Sequence, residues 1–163
     1  MTKPVAIVTG ASRGVGKAVA LLLAEKGWNL TLTCSSSLKE AKKVAKECND
    51  LGAETIVLTA DVSDESKCKE TVQKTIEEWK RLDVLINNAG KTVFNAHENL
   101  AGLKSEDFLE IYKTNTVGPY MMIKEAEEFL RKSPIASVVN IASIAGVIGV
   151  GSSIAVSYTH LTL

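Results

Sequence analysis

The sequence has little of several features that mark specialised classes of protein. Its 19 basic and 19 acidic side chains cancel to a formal net charge of zero. It therefore lacks the basic surface that binding to a nucleic-acid backbone or an anionic membrane requires. It has three cysteines, Cys34, Cys48 and Cys68, at wide spacing and without a Cys-x-x-Cys pair. This count argues against a disulfide framework and a zinc site, and it is typical of the reducing cytoplasm.

Segments that direct or divide a chain are also lacking. The apolar stretch 5–9 is too short for the core of a signal peptide because Gly10 interrupts it. Residues 133–163 carry no full charge, and residues 136–156 are long enough to raise the question of a membrane span. Their glycines and serines favour a buried strand and a tight loop instead. No repeat or Pro/Gly/Ser-rich linker occurs, so we expect one globular domain.

Short apolar runs alternate with longer amphipathic segments, which is the pattern of a parallel sheet covered by helices on both faces. The runs predicted to be strands are 5–9, 30–33, 55–59, 84–86 and 137–141. Helices are predicted over 15–26, over 38–51, from a cap at Ser63 or Asp64 to about 80, from a cap at Ser105, and from Gly118-Pro119 to about 131. The sequence thus predicts an α/β fold, a doubly wound three-layer Rossmann-type sheet with five parallel strands.

The segment between the first strand and the first helix reads Thr9-Gly10-Ala11-Ser12-Arg13-Gly14-Val15-Gly16. A glycine-rich loop at that place is typical of a dinucleotide site. Gly10 permits the turn, Gly14 lets the backbone approach a pyrophosphate, and Gly16 lets helix and strand pack closely. The helix amino terminus offers N–H donors to the phosphates. The alternative is an incidental turn, which the position inside a β-α-β unit disfavours.

Four further motifs follow strands or lie in the long helical segment. They are Asp61-Val62 after strand three, Asn87-Asn88-Ala89-Gly90 after strand four, Ser143 after strand five, and Asn115-Thr116-Val117-Gly118-Pro119 in the helix. Together with the glycine loop, their order and spacing resemble the short-chain dehydrogenase/reductase family in its standard form, over essentially residues 5–155. Within that family, the glycine loop and the serines after strand two look most like those of 3-oxoacyl-(acyl-carrier-protein) reductases.

The resemblance implies an NAD(P) site along the carboxyl ends of the strands, where open α/β sheets bind ligands. Asp61 would accept a hydrogen bond from the adenine amino group, and Val62 would lie against the ring. The segment 87–90 would clamp the central strands and lie beside the adenosine ribose. From the residues alone, a helix cap remains open for Asp61 and a plain turn for 87–90. The residues expected to bind the cofactor are Gly10, Ser12, Arg13, Gly14, Val15, Gly16, Ser35, Asp61, Val62, Asn88, Ala89 and Gly90.

Cofactor choice depends on the end of strand two, where NAD-preferring relatives carry an acid that binds the ribose 2′-hydroxyl. The matching position here is Cys34. The hydroxyls of residues 35–37 can donate hydrogen bonds to a 2′-phosphate, and Arg13 can pair with it. A solvated arginine and a flexible serine turn are the alternatives. The sequence therefore favours NADP(H) over NAD(H).

For the chemistry, the resemblance implies that Ser143 positions the substrate oxygen and that Asn115 holds a water in a proton relay. A loop hydroxyl and a helix-interior amide are the alternatives. The family's proton donor is a tyrosine, with a lysine four residues later that lowers its pKa. Counting from Ser143 places these two at positions occupied by Val156 and His160. Tyr158 lies two places late and has no lysine four residues beyond it.

Because the family's domains run to about 250 residues, we expect residues 1–155 to be an incomplete NAD(P)-binding domain and residues 156–163 a non-native tail. A natural short relative is the alternative. Without the catalytic helix expected after Ala155, strand five should be an open edge, and the apolar face with Met121, Met122 and Phe129 should be exposed.

Two functions remain in competition. In the first, the parent protein is a cytoplasmic, homo-oligomeric, NADP(H)-dependent oxidoreductase that interconverts a small-molecule ketone and a secondary alcohol, and this chain is an inactive fragment. It would need no metal and would bind neither nucleic acid nor membrane. In the second, the fold serves as a non-catalytic nucleotide-binding or regulatory module. The glycine spacing disfavours a sugar epimerase or dehydratase of the extended branch.

Overall fold

A computed structural model describes residues 3–148 and 152–161. In chain order its elements are β1 (Val5–Val8), α1 (Gly14–Glu25), β2 (Asn29–Cys34), α2 (Leu38–Asp50), β3 (Thr55–Thr59), α3 (Glu65–Trp79), β4 (Val84–Asn87), a 3-10 turn (Leu100–Gly102), α4 (Ser105–Tyr112), a π-helical segment (Lys113–Val117), α5 (Gly118–Leu130), β5 (Ser137–Asn140), α6 (Ala145–Ile148) and α7 (Ile154–Leu161).

The five strands form one parallel sheet in the order β3-β2-β1-β4-β5. The chain moves outward from β1 to β3 and then returns to place β4 on the other side of β1. The strand order therefore reverses between β1 and β4, which is the place where open α/β sheets form a ligand crevice. The prediction of a Rossmann-type sheet with five parallel strands is confirmed.

Apolar clusters cover both faces of the sheet. On one face α1 and α2 pack against the central strands through Ala20, Ala24 and Val44. On the other face α3 and α5 contribute Val72 and Met122. The β-branched and leucine side chains of β1, β2 and β4 lie between these layers, and this double burial explains why β1 and the first three residues of β4 are unbroken apolar runs. No helix within the described residues combines the length and the apolar character that crossing a bilayer requires.

The expected exposure of the apolar face of α5 is wrong. Met122 is 1% exposed, and Met121 and Phe129 are partly buried against the same cluster. The reason is that α5 packs on α3 and on the sheet, so this face of the helix is already covered. The expected open edge, by contrast, is confirmed, since β5 is the last strand in the order of the described sheet and all four of its residues are exposed.

The expectation that no helix follows Ala155 is also wrong, because α7 begins at Ile154. Ala155 and Val156 pack with Ile111 of α4 and Ala145 of α6, and burial of these four apolar side chains accounts for the helix. That residues 156–163 are a non-native tail stays a prediction.

Two helix starts differ in detail from the sequence interpretation. Of the two candidates for the start of α3, Asp64 is the cap, since its carboxylate accepts a hydrogen bond from the N–H of Ser66 at 2.8 Å. Ser105 is not the cap of α4 but its first residue. Lys104 precedes it, and Asp107 accepts a hydrogen bond from the N–H of Lys104 at 2.8 Å. An acid in the first turn thus reaches back to the N–H of the capping position, as the third residue of a capping box does.

Candidate functional site

The glycine loop turns sharply between β1 and α1. Gly10 and Gly14 have φ values of 64° and 58°, in the left-handed region that favours glycine. A Cβ on Gly10 would lie 2.9 Å from the Cα of Ala89, so the loop and the segment after β4 are in contact. A Cβ on Gly16 would overlap the side-chain amide of Asn88 and the carbonyl oxygen of Gly10. The loop therefore needs glycine for conformation at Gly10 and Gly14 and for close approach at Gly16.

Thr9 and Asn88 brace the glycine loop against the end of β4. The Thr9 hydroxyl oxygen accepts hydrogen bonds from the backbone N–H groups of Asn88 and Ala89, both at 3.0 Å. In return, the Asn88 amide donates to the carbonyl oxygens of Thr9 at 2.9 Å and Gly10 at 3.0 Å. The clamp expected of the segment 87–90 is therefore present. The sequence interpretation gave Thr9 no role, although its hydroxyl directly before Gly10 was a signal.

Beside the brace lies a cleft of about 440 Å³, here called the glycine-loop cleft. It runs across the carboxyl ends of β2 and β3 and brings together most of the residues predicted to bind the cofactor. These are Gly10, Ser12, Arg13, Ser35, Asp61, Val62, Asn88, Ala89 and Gly90. Gly14, Val15 and Gly16 form the first turn of α1 next to it.

The charges of the glycine-loop cleft come from Arg13, Asp61 and Lys91. Arg13 is exposed, and none of the ion pairs formed within residues 3–148 and 152–161 involves it. Cys34 is 3% exposed at the end of β2, and burial, together with the nearby Glu40 carboxylate, raises the pKa of its thiol. The side chain at the position where an acid would bind the ribose 2′-hydroxyl is therefore uncharged.

Asp61 and Val62 form the far wall of this cleft. One oxygen of the exposed Asp61 carboxylate accepts a hydrogen bond from the N–H of Ser63 at 2.9 Å. This contact orders the turn before α3, while Asp64 is the residue that caps the helix. Val62 is held by Gly118 at the start of α5, where a Cβ would lie 2.8 Å from a Val62 methyl carbon. The Gly118 position thus lets α5 approach the cleft wall.

A second cleft of about 500 Å³, here called the serine cleft, lies across the carboxyl ends of β4 and β5. It contains both predicted catalytic residues, Ser143 and Asn115, and it shares residues 88–91 with the glycine-loop cleft. The two clefts therefore meet at one wall. Val156 and His160 also line the serine cleft, at the positions where the resemblance places tyrosine and lysine. Tyr158 lies elsewhere, with its ring edge-on to Phe108 at 6.4 Å between centroids.

Asn115 lies in the π-helical segment Lys113–Val117, a local widening of the helix that was not predicted from the sequence. Its side-chain oxygen accepts a hydrogen bond from the N–H of Lys91 at 2.8 Å, and its amide donates to the Lys91 carbonyl oxygen at 3.0 Å. The side chain therefore fixes the backbone just after residues 88–90. Its described contacts are those of a positioning residue.

Ser143 follows β5 and is half-buried. Its hydroxyl oxygen accepts a hydrogen bond from the N–H of Ala145 at 3.2 Å, which leaves the hydroxyl proton available as a donor. The cleft floor beside it holds Asn87, whose amide donates to the Asn140 side chain at 2.9 Å. The Asn87 side-chain oxygen is buried and has no partner among the described residues.

The loop after Lys91 is tied to the segment before α7. Thr92 lies within hydrogen-bond distance of Ser153, hydroxyl to hydroxyl at 3.1 Å. The His97 ring nitrogen lies 2.6 Å from the Ser152 carbonyl oxygen. Two of these four residues, Thr92 and Ser152, line the serine cleft. The sequence analysis did not identify these contacts, because residues some 60 positions apart meet there.

Comparison with known proteins supports this geometry. The model of the family described as short chain dehydrogenase matches residues 4–159. Ketoacyl reductase 2 of the granaticin polyketide synthase of Streptomyces violaceoruber is 38% identical over 151 residues, which are 93% of this chain and 59% of that protein. The 3-oxoacyl-(acyl-carrier-protein) reductase FabG of Staphylococcus aureus is 33% identical over 149 residues, 91% of this chain and 59% of the relative. The chain thus spans about three-fifths of the length of these curated relatives.

Solved structures of other proteins have the same fold. A short-chain dehydrogenase/reductase from Burkholderia xenovorans has a TM-score of 0.93 at 35% identity, covering 98% of this chain and 67% of that one. NAD⁺-bound xylitol dehydrogenase has a TM-score of 0.87 at 29% identity, covering 98% of this chain and 60% of that one. With the family model matching nearly the whole chain and the glycine loop, brace and serine cleft in place, this chain belongs to the short-chain dehydrogenase family.

Proposed function

We propose that the full-length protein is an NADP(H)-dependent oxidoreductase that interconverts a ketone and a secondary alcohol. The observation that carries the proposal is the shared wall of the two clefts, formed by residues 88–91. A dinucleotide held by the glycine loop would reach along this wall toward Ser143. The cofactor supplies the hydride, and the serine cleft receives the carbonyl compound.

In this proposal the chain holds the cofactor mainly through backbone and shape. The first turn of α1 directs N–H groups at the phosphates, and Gly10, Gly14 and Gly16 allow the close approach. Asp61 and Val62, which line the cleft, would contact the adenine. The brace between Thr9 and Asn88 keeps the loop and the end of β4 at a fixed separation.

The preference for NADP(H) rests on charge. Arg13 and Ser35 line the same cleft as Cys34, where the thiol leaves no acid to bind a 2′-hydroxyl or to repel a 2′-phosphate. NAD(H) is the competing cofactor, since one of the similar solved structures is an NAD⁺-bound xylitol dehydrogenase.

For catalysis we assign Ser143 to donate a hydrogen bond to the substrate oxygen and Asn115 to position the loop beside it. Val156 cannot donate a proton, and Tyr158 lies outside the lining of the serine cleft. We therefore propose that the chain as it stands binds the cofactor but does not reduce carbonyl compounds. The parent is proposed to be cytoplasmic, in line with the three cysteines of this chain, all free, and homo-oligomeric, as the family resemblance implies.

The cofactor half of the proposal is tested by titrating the chain with NADPH and NADH and following nucleotide fluorescence. We expect NADPH to bind about tenfold tighter or more, because a charge-assisted contact to the 2′-phosphate distinguishes the two. If neither nucleotide binds, the assignment of the glycine-loop cleft as the dinucleotide site is wrong.

The catalytic half is tested by joining the carboxyl-terminal third of a similar reductase after Ala155. The chimera should oxidise NADPH with a ketone, and Ser143→Ala in it should lower kcat by about 100-fold or more. Steady NADPH oxidation by the 163-residue chain, abolished by Ser143→Ala, would contradict the inactive-fragment proposal and make Tyr158 the first candidate acid.

A second candidate function is a non-catalytic nucleotide-binding or regulatory module. Val156 and His160, which line the serine cleft at the positions of the expected tyrosine and lysine, favour it. The parent gene decides between the two. A Tyr-x-x-x-Lys encoded after the codon for Ala155 would exclude the module, whereas cofactor binding without turnover in the full-length parent would support it.

A further inference from the structure

Lys91 occupies an unusual place, on the wall that the glycine-loop cleft and the serine cleft share. Its backbone is held from both sides, since Asn115 accepts from its N–H and donates to its carbonyl oxygen. Asn115 itself lies in the π-helical segment. Because its backbone is fixed, the Lys91 side chain extends from a defined position on this wall.

The ammonium group of Lys91 pairs with the carboxylate of Glu110 on α4. The two side chains are 45% and 61% exposed, so water competes for both charges. Solvent-exposed ion pairs of this kind contribute little to stability. The ammonium can therefore leave Glu110 for another anion at small cost.

Few charged side chains line the serine cleft among the described residues. Among the described residues that line it, Lys91 is the one side chain with a full charge at neutral pH, histidine being counted as neutral. No acid lines this cleft within the same residues. The remaining surface is amide, hydroxyl and apolar. A substrate that enters it meets the charge of Lys91, whose partner Glu110 lies outside the lining, and no acid of the cleft itself.

We propose that Lys91 selects carbonyl substrates that carry a carboxylate or a similar anionic group, and that Glu110 holds its ammonium until such a substrate arrives. This inference rests on the proposed function, because it names the substrate class of the same cleft. Lys91 binds the anionic end of the substrate, while Ser143 contacts the carbonyl oxygen. The selection acts on binding and involves no step of the reaction.

The test uses two probes of nearly equal shape, levulinate and methyl levulinate, which differ in one negative charge. Their binding to the 163-residue chain in the presence of NADPH is measured by saturation-transfer NMR. We expect levulinate to bind about tenfold tighter than the ester, since a charge-assisted contact replaces a neutral one. Lys91→Met should bring the two affinities to within about twofold, and Lys91→Arg should restore the difference.

Lys113→Met is the matched control, because it removes the same charge from an exposed position outside the lining of the cleft. It should leave the preference for levulinate intact. Glu110→Gln should strengthen levulinate binding by about twofold, since it removes the competing carboxylate. An unchanged levulinate preference in Lys91→Met, or an equal loss in Lys113→Met, would overturn the inference.

NADPH titration of the same samples separates this inference from the proposed function. If the unmodified chain binds NADPH but shows no preference for levulinate, only the role of Lys91 fails. If it binds no dinucleotide, the proposed function fails first. If Lys91→Met weakens NADPH and leaves levulinate unaffected, the ammonium serves the cofactor, and the substrate assignment is wrong.

Discussion

At the scale of single residues, Arg13 is the side chain that should distinguish the two nicotinamide cofactors. Arg13→Ala is expected to weaken NADPH by about 1.5 to 3 kcal/mol and to leave NADH nearly unchanged, because only NADPH carries the 2′-phosphate. Fluorescence titration measures both affinities. Lys26→Ala, which removes an exposed charge at the far end of α1, is the matched control. Equal losses for NADPH and NADH would show that Arg13 does not contact the phosphate.

Cys34 offers the converse test. Cys34→Asp should shift preference toward NADH, since the new carboxylate can accept from the ribose 2′-hydroxyl and repel a phosphate. Cys34→Asn has nearly the same size without the charge and should shift the preference much less. The ratio of the two dissociation constants is the readout. A ratio that moves equally in both variants would trace the effect to shape rather than to charge.

At the scale of elements, Asp83 joins the start of β4 to β1 and to the end of α5. Its buried carboxylate accepts from the N–H of Val5 at 2.8 Å, from the Ser133 hydroxyl at 2.5 Å and from two nitrogens of the Arg81 guanidinium. Burial raises the pKa of Asp83, but the hydrogen bonds from Arg81, Ser133 and Val5 outweigh it, so the pKa lies below its ordinary value.

A depressed pKa in the folded state makes Asp83 a source of acid sensitivity. Its contribution is complete above the unfolded-state value near 4 and is lost as the pH falls through the lower folded-state value. Asp83→Asn should cost about 2 to 4 kcal/mol at pH 7 and flatten the pH dependence of the free energy of unfolding below about pH 5. Urea melts from pH 3 to 7 measure both. Glu127→Gln, at an exposed ion pair, should leave the curve almost unchanged.

The elements also show what the sequence could and could not reveal. β1 and β4 were predictable because they are buried on both faces and therefore consist almost entirely of apolar residues, and β2, also buried, is rich in leucine and β-branched threonine. The placement of Ser143 and Asn115 in one cleft followed from the position of their motifs at strand ends and in the long helix. The role of Thr9 and the burial of Met122 were missed, because both arise from contacts between segments distant in the sequence.

The remaining features could not be predicted because they depend on local contacts. The π-helical segment around Asn115 has no composition that separates it from an ordinary helix. It is accompanied by two hydrogen bonds to the backbone of Lys91, some 24 residues earlier. Likewise, Ser105 is a good helix cap by type, but Asp107 in the first turn satisfies the backbone there. Where two residues could satisfy the backbone at a helix start, the geometry of the folded chain determines which one does, and the sequence alone does not predict it.

At the scale of the whole molecule, β5 is a sheet edge with exposed apolar side chains. Val138 and Val139 are 39% and 40% exposed, and unpaired strand edges of this kind associate with one another. We expect the chain on its own to self-associate at micromolar concentration. Val139→Lys should reduce light scattering by placing a charge on the edge. Val15→Lys, at an exposed valine on α1, is the control. A monodisperse chain with a sharp cooperative thermal transition would contradict the expectation and favour a natural short protein.

The brace between Thr9 and Asn88 has a consequence for how the crevice meets its ligand. Four hydrogen bonds of 2.9 to 3.0 Å join the glycine loop to the end of β4 within the protein itself. The floor of the crevice is thus preorganised, and little conformational entropy remains to be lost when a dinucleotide associates. The amide protons of Asn88 and Ala89 should then exchange slowly with solvent even in the absence of nucleotide, and nucleotide should add protection chiefly at the exposed Arg13 and Ser35.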